Sequence, residues 1–172
     1  MDFSTLSALM EPCDINGLIN DTIAYLSTQS RFDDIKIRFN PSTRAIFTRS
    51  DVGQLQQLLY NLIYNSADAV KDKLSGDEKR IEITAQMDGD EKNFSISVED
   101  NGTGISDEYM DIAFKERFTT KKAGHGLGLM VCKRIIENHK GHLKIKSKSG
   151  EGTLISIRMP ISEVVAEEPV PA

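Results

Sequence analysis

Gly124-His-Gly-Leu-Gly-Leu129 leads without a break into Met130-Val-Cys-Lys-Arg-Ile-Ile-Glu137, a stretch with helical spacing. Glycines ahead of a helix leave backbone N–H groups free to cradle phosphate, with the positive end of the helix dipole behind them. Such a loop works through its N–H groups, so His125 reads as a tolerated backbone position rather than a catalytic base. Gly124, Gly126, Leu127, Gly128 and Leu129 complete the cradle. Working back along the chain, Asp100-Asn-Gly-Thr-Gly-Ile105 follows a strand pattern, and Asn61-Leu-Ile-Tyr-Asn65 lies inside a long helical one. Each motif alone is common. Their order in one chain points to a nucleoside triphosphate held together with a metal ion.

At about 100° per residue, Asn61, Asn65 and Asp68 fall in one narrow stripe beside the apolar face of their helix. An asparagine carbonyl at a pocket rim suits magnesium (Mg2+), which wants hard oxygen ligands and keeps several waters. The rival reading is a row of solvated polar side chains. Asp100 ends a strand that is apolar at alternate positions, so its carboxylate points into a partly buried pocket. There it can accept from an exocyclic amine, which favours adenine over guanine; its rival role is to stabilise the turn before Asn101-Gly102. Gly102 and Gly104 let backbone approach a base closely, with Ile105 packed nearby. Lys121, shortly before the glycine run, can meet a terminal phosphate as a point charge. Lys122 competes for that role, and a solvated lysine pair is the alternative. His139 and His142 flank Lys140-Gly141 at a helix end, where dipole and capping roles suit them.

Around these motifs the periodicity lays out a fold. Asp2 to Met10 reads like the last turns of a helix that Glu11-Pro12 ends. Asp14 is placed to cap a helix running to about Thr28, with Ile15, Leu18, Ile19, Thr22, Ile23 and Leu26 on one face. Ile35 to Asn40 alternates like a half-buried strand, and Arg44 to Arg49 is expected to continue the same sheet after a Pro41-Ser42 turn. Ser50 or Asp51 caps the longest helix, which runs to about Leu74 with Leu55, Leu58, Leu59, Leu62, Ser66 and Val70 as its core stripe. Arg80–Met87 and Phe94–Glu99 read as strands joined at Asp88-Gly-Asp90, a hairpin signal. A loop and short helix are expected over 100–113, and a further helix from Leu127 to about Asn138. Strands at Leu143–Ser147 and Thr153–Met159 close the sheet, and Pro160 ends the last of them. Helices set apart from such a sheet make the fold class α+β, a two-layer α/β sandwich whose mixed, mostly antiparallel sheet is covered on one face by helices.

The 172 residues suffice for one domain with its own core, and 39% hydrophobic with 27% charged residues is ordinary for a globular chain. A net charge of −5 without a basic stripe sets nucleic acid aside as the main partner. No run approaches the ~18 apolar residues of a membrane span, and no charged leader with an apolar core opens the chain. This fragment is therefore expected to be cytoplasmic with no membrane contact of its own, even if a longer parent is membrane-anchored. Cys13 and Cys132 are too few for a zinc site or disulfide framework and read as reduced thiols. Ser162 to Ala172 is acidic and aperiodic, a flexible tail or linker. The division expected is 1–11 as the end of an upstream helix or linker, 12–161 as one nucleotide-binding domain, and 162–172 as the tail.

Order, spacing and residue type together resemble the ATP-binding catalytic domain of bacterial sensor histidine kinases, in the superfamily shared with gyrase, heat-shock chaperone ATPases and mismatch-repair ATPases. The resemblance covers Asp14 to Pro160. Asn61–Asn65 looks like the family's asparagine box, Asp100–Gly104 its first glycine box, and Phe114–Lys121 its phenylalanine box. Gly124–Leu129 is similar to the second glycine box, and Gly150-Glu-Gly-Thr153 to the closing Gly-Thr element. The resemblance implies a Bergerat-type sandwich that holds ATP and Mg2+ under a mobile lid, here residues 119–126. It makes Asn65 the magnesium ligand with Asn61 assisting, gives the adenine amine to Asp100, and places Thr153 close to adenine through a water network. Lys121 would meet the γ-phosphate. Asp68 stands where many members carry a lysine or arginine, which puts one phosphate contact in question, although related subclasses carry acids or amides there. Arg117 stands in place of the second phenylalanine of its box, while Phe114 and Phe118 remain.

Asn61 sets the subclass implied. Hydrolysing members and the anti-sigma-factor serine kinases carry a glutamate at the matching position as general base, and an amide cannot accept that proton. A chain that binds ATP well and hydrolyses it poorly is expected, with phosphoryl transfer resting on positioning and electrostatics. In the family the acceptor histidine lies on a helical dimerisation hairpin; here none of the three histidines, at 125, 139 and 142, precedes the nucleotide motifs. Residues 2–10 look like that hairpin's last turns. The resemblance thus implies a fragment, monomeric by itself, of a homodimeric protein-histidine kinase that serves a response regulator receiver domain. Three rival classes are a catalytically silent nucleotide-binding regulatory module, a dimer-closing ATPase and an anti-sigma serine kinase. Asn61 counts against the last two, and intact Asn65, Asp100, Gly126 and Gly128 against the first.

Overall fold

A computed structural model describes residues 9–73, 76–106 and 128–163. Strand β1 (Glu11–Asp14) passes directly into helix α1 (Ile15–Leu26), whose N-cap Asp14 accepts from the Asn16 N–H at 3.1 Å. Strands β2 (Ile35–Asn40) and β3 (Phe47–Ser50) follow, then the long helix α2 (Val52–Asp72). Asp51 is the N-cap of α2, accepting from the Gln54 N–H at 3.0 Å. Strands β4 (Lys79–Met87) and β5 (Asn93–Asp100) precede helix α3 (Gly128–Asn138), and β6 (His142–Lys148) and β7 (Gly152–Pro160) close the chain.

Five strands form one sheet in the order β2-β4-β5-β7-β6. Every neighbouring pair is antiparallel except β2 with β4, which run parallel, and β3 with α2 make the crossover that a parallel pair needs. Alternation decides the layers. Ile81, Ile83 and Ala85 of β4, Phe94, Ile96 and Val98 of β5, and Ile155, Ile157 and Met159 of β7 are all buried, whereas Arg80, Glu99 and Arg158 between them are exposed. The buried face meets Leu55, Leu58, Leu59, Leu62 and Val70 of α2 and Ile135 and Ile136 of α3 in one core. Helices on one face and solvent on the other make the two-layer α+β sandwich that the sequence pattern implied. Edge strands β2 and β6 expose Lys36, Lys144 and Lys146, which discourages pairing with other chains.

One expectation is corrected. Arg44 to Arg49 does not continue the β2 sheet. Instead β3 pairs antiparallel with β1 in a separate two-stranded ribbon, Glu11 opposite Ser50 and Asp14 opposite Phe47. Glu11-Pro12, expected to end an upstream helix, opens this strand, and residues 2–8 of that expected helix lie outside the described residues. Pro12 is tolerated there because each strand of a two-stranded ribbon is an edge, and the ribbon buries Cys13 and Thr48, which face each other in register. Smaller differences have local causes. Helix α1 stops at Leu26 because the chain tightens into a 3-10 turn, Ser30–Phe32, that buries the Phe32 ring. The β4–β5 hairpin takes its left-handed residue at Glu91, φ 56°, rather than at Gly89.

Candidate nucleotide site

Along β5 the inward positions run Phe94, Ile96, Val98, Asp100. The same alternation that buries three apolar side chains thus places a carboxylate at the mouth of the core, with only 6% of Asp100 exposed. Its Oδ1 accepts from the Gly102 N–H and its Oδ2 from the Ser66 hydroxyl, each at 2.9 Å. Burial raises its pKa above the ordinary carboxylate value, although the Gly102 N–H, the Ser66 hydroxyl and the Thr153 N–H each pull it down. Thr153, opposite Asp100 in the β5–β7 register, is buried too. Its hydroxyl lies 2.8 Å from that of Ser147, which also accepts from the Ile105 N–H and donates to the Gly152 carbonyl.

The loop after β5 is fixed by close approach. A Cβ on Gly102 would lie 2.5 Å from the backbone carbon of Ala69 on α2, and Gly104, at φ +67°, would bring one to 2.0 Å from the Lys148 carbonyl oxygen. The Thr103 N–H bonds the Ala69 carbonyl and the Gly150 N–H bonds the Thr103 carbonyl, so the loop bridges α2 and the β6–β7 hairpin. Asn101 secures the outer side: its amide bonds the Glu78 carbonyl and the Arg80 N–H.

Helix α2 contributes the opposite wall. Asn61, Asn65 and Asp68 are half-buried. The first turn of α3 lies against the asparagines, since a Cβ on Gly128 would come within 3.9 Å of the Asn65 amide nitrogen. One turn on lies the buried Cys132, whose thiol burial pushes up to about 12, with the Asn61 amide pulling the other way. Cys132 is thus a neutral packing group. The side of the first turn of α3 accordingly lies beside the asparagine stripe. Asp68 forms an ion pair with Arg31. Among the described residues no three His, Cys, Asp or Glu side chains group as metal ligands; the hard oxygens on offer are the two asparagine carbonyls and the Asp68 carboxylate.

The structure therefore brings together Asn61, Asn65, Asp68, Asp100, Gly102, Gly104, Ile105, Gly128, Leu129 and Thr153 around one end of the sheet. Lys121, Gly124, His125, Gly126 and Leu127 lie outside the described residues, as do Phe114, Arg117, Phe118 and the lid 119–126. Sequence reasoning placed Ser66 in the core stripe and missed its bond to Asp100; a hydroxyl amid leucines beside Asn65 was the available signal. Ser147 carried no signal beyond its register with Thr153. At its own helix end His139 places Nδ1 2.8 Å from the Ile135 carbonyl, and its Nε2 accepts from the Asp51 N–H at 3.1 Å at the start of α2. A separate cavity of about 250 Å³ lies at the far end of β5 and β7, lined by residues that include Arg49, Phe94, His139 and Met159 and by none of the site residues.

The family profile described as "Histidine kinase-, DNA gyrase B-, and HSP90-like ATPase" matches residues 50–163. Over 153 residues the chain is 32% identical to sensor histidine kinase ZraS of Escherichia coli (strain K12), covering 89% of this chain and 31% of ZraS. It is 34% identical over 154 residues to sporulation kinase A of Bacillus subtilis (strain 168), covering 90% of this chain and 24% of that kinase. The chain thus spans less than a third of the length of these curated relatives. The catalytic domain of histidine kinase ThkA aligns with a TM-score of 0.73 at 25% identity, over 89% of this chain and 96% of that domain.

Proposed function

The chain belongs to the family of histidine kinase-, DNA gyrase B- and HSP90-like ATPases, and from that premise we propose that it is the ATP-binding catalytic domain of a two-component sensor histidine kinase. In this reading it binds Mg-ATP and presents the γ-phosphate to a histidine on a separate dimerisation hairpin. The observation that carries the reading is Asp100: a buried carboxylate at the mouth of the core, bonded to Ser66 and Gly102, across from the Asn61–Asn65 stripe and the N-terminus of α3. A buried carboxylate in this position accepts from the adenine amine, and the backbone N–H groups at the start of α3 face the phosphates. The match to kinases named as sensor histidine kinase and sporulation kinase supports the choice within the family.

The oxygen donors fit magnesium. Asn65 would hold it with Asn61 beside it, and the ion would neutralise phosphate oxygens there. Asn61 offers an amide where a general base would have to accept a proton, so its role in this reading is positioning. Catalysis by this chain is then orientation and electrostatics: Asp100 and Thr153 orient the base, Asn65 and the start of α3 orient the phosphates, and Lys121, one of the lid residues 119–126, would meet the γ-phosphate. The acceptor imidazole nitrogen attacks that phosphorus and ADP leaves. The catalytic unit proposed over 12–161 is extended by Glu11 of β1 and by Ser162, which bonds Thr48 and Arg49 of β3, and the hairpin would lie upstream. A homodimeric parent and a response regulator receiver domain complete the proposed system.

The test is phosphotransfer in trans. The chain, magnesium and γ-labelled ATP are mixed with a separately made histidine hairpin domain of a related sensor kinase. Acid-labile, base-stable label on the hairpin, with none on this chain alone, is expected. Label on this chain alone, or phosphate release well above background, contradicts the proposal.

A further inference from the structure

Arg31 belongs to none of the sequence motifs and lies in the 3-10 turn after α1. Its guanidinium forms an ion pair with Asp68 on the α2 stripe that carries Asn61 and Asn65. It also sits 5.1 Å from the centroid of the Tyr64 ring. Tyr64 is itself held, donating its hydroxyl to Gln29 Oε1 at 2.7 Å and meeting the buried Phe32 ring with centroids 5.7 Å apart. At about 100° per residue, Asp68 lies within roughly 60° of both asparagines around the helix. The arginine is therefore gathered to the nucleotide rim of α2.

An acid at position 68 by itself would repel a polyphosphate bound along Asn61 and Asn65. Arg31 changes what such a ligand meets. A guanidinium offers five N–H donors in a planar fork, of which one carboxylate engages two at most, so the others stay available to phosphate oxygens. Its side chain is 41% exposed against 21% for Asp68, which makes Arg31 the outer member of the pair. Stacking on Tyr64 and pairing with Asp68 already restrict its rotamers, so little entropy is left to lose on contact with a ligand.

We infer that Arg31 is a polyphosphate contact of this domain, with Asp68 and Tyr64 as the positioning residues that hold it. The inference rests on the nucleotide reading above. It gives the acid at 68 a role: the cation comes from another segment of the chain instead of from α2 itself.

The experiment is a calorimetric titration of the whole chain with AMP, ADP and a non-hydrolysable ATP analogue, in magnesium at low ionic strength. Arg31→Ala is expected to weaken the analogue about 10- to 100-fold, the effect of losing a charge-assisted hydrogen bond, and to leave AMP unchanged. Adding Asp68→Lys to Arg31→Ala puts a cation on α2 directly and should recover most of the loss, which a purely structural ion pair would not do. Arg31→Gln keeps the side chain's length and gives the same reading should the alanine variant fail to fold. Unchanged analogue binding in the variant, or equal loss of AMP and analogue, overturns the inference. An unmodified chain that binds none of the three nucleotides overturns the nucleotide reading, and this inference with it.

Discussion

Asp100 shares the inward face of β5 with Phe94, Ile96 and Val98, and burial raises its pKa despite three hydrogen-bond donors. The folded chain therefore holds this proton to higher pH than the unfolded chain, in which an aspartate titrates near about 3.9. Between those two values the native state binds more protons, so stability falls as pH rises through the window, and the cost persists above it. Asp100→Asn removes the charge and retains an acceptor oxygen for Gly102. We expect its Tm at pH 7 to exceed that of the unmodified chain, with the difference shrinking toward pH 4 in thermal melts. A lower Tm at pH 7 would show that the charged form stabilises the fold. Groups that cost stability where they stand are common at binding and catalytic sites.

At the scale of elements, the loop after β5 is held by backbone approach rather than by side chains. Gly104→Ala places a Cβ against the Lys148 carbonyl at a positive φ, whereas Gly150, also at positive φ, has nothing within 4 Å of its Cβ. Urea unfolding should show a loss of about 1–2 kcal/mol for Gly150→Ala, the left-handed cost alone, and about 3 kcal/mol or more for Gly104→Ala. Equal losses would mean that the loop moves away from β6 freely. The same contrast explains what the sequence could show. The stripe of α2 and the alternation of β5 and β7 are local periodicities, so Asn61, Asn65, Asp100 and Thr153 fall into place once those elements are read. The β1–β3 ribbon joins two four-residue segments far apart in the chain, and no local period announces such a pairing. Arg31 was invisible for the same reason, since its place depends on how the turn after α1 returns to α2.

For the whole molecule, one end of the sandwich gathers the buried Asp100 carboxylate, the asparagine stripe, Arg31 and the start of α3, while the β1–β3 ribbon and the bond from the Asp51 N–H to His139 tie down the other end. In the proposed reading Asn61 takes the place of a general base, so the domain's task is to bind and present ATP. The most direct measurement is a calorimetric titration with a non-hydrolysable ATP analogue, with and without magnesium, on the unmodified chain and Asp100→Asn. If Asp100 takes the adenine amine as proposed, its replacement is expected to cost on the order of 100-fold in affinity. The account predicts magnesium-dependent binding by the unmodified chain and its near loss in the variant. A folded chain that binds no nucleotide, or a variant that binds as tightly as the unmodified chain, would contradict it.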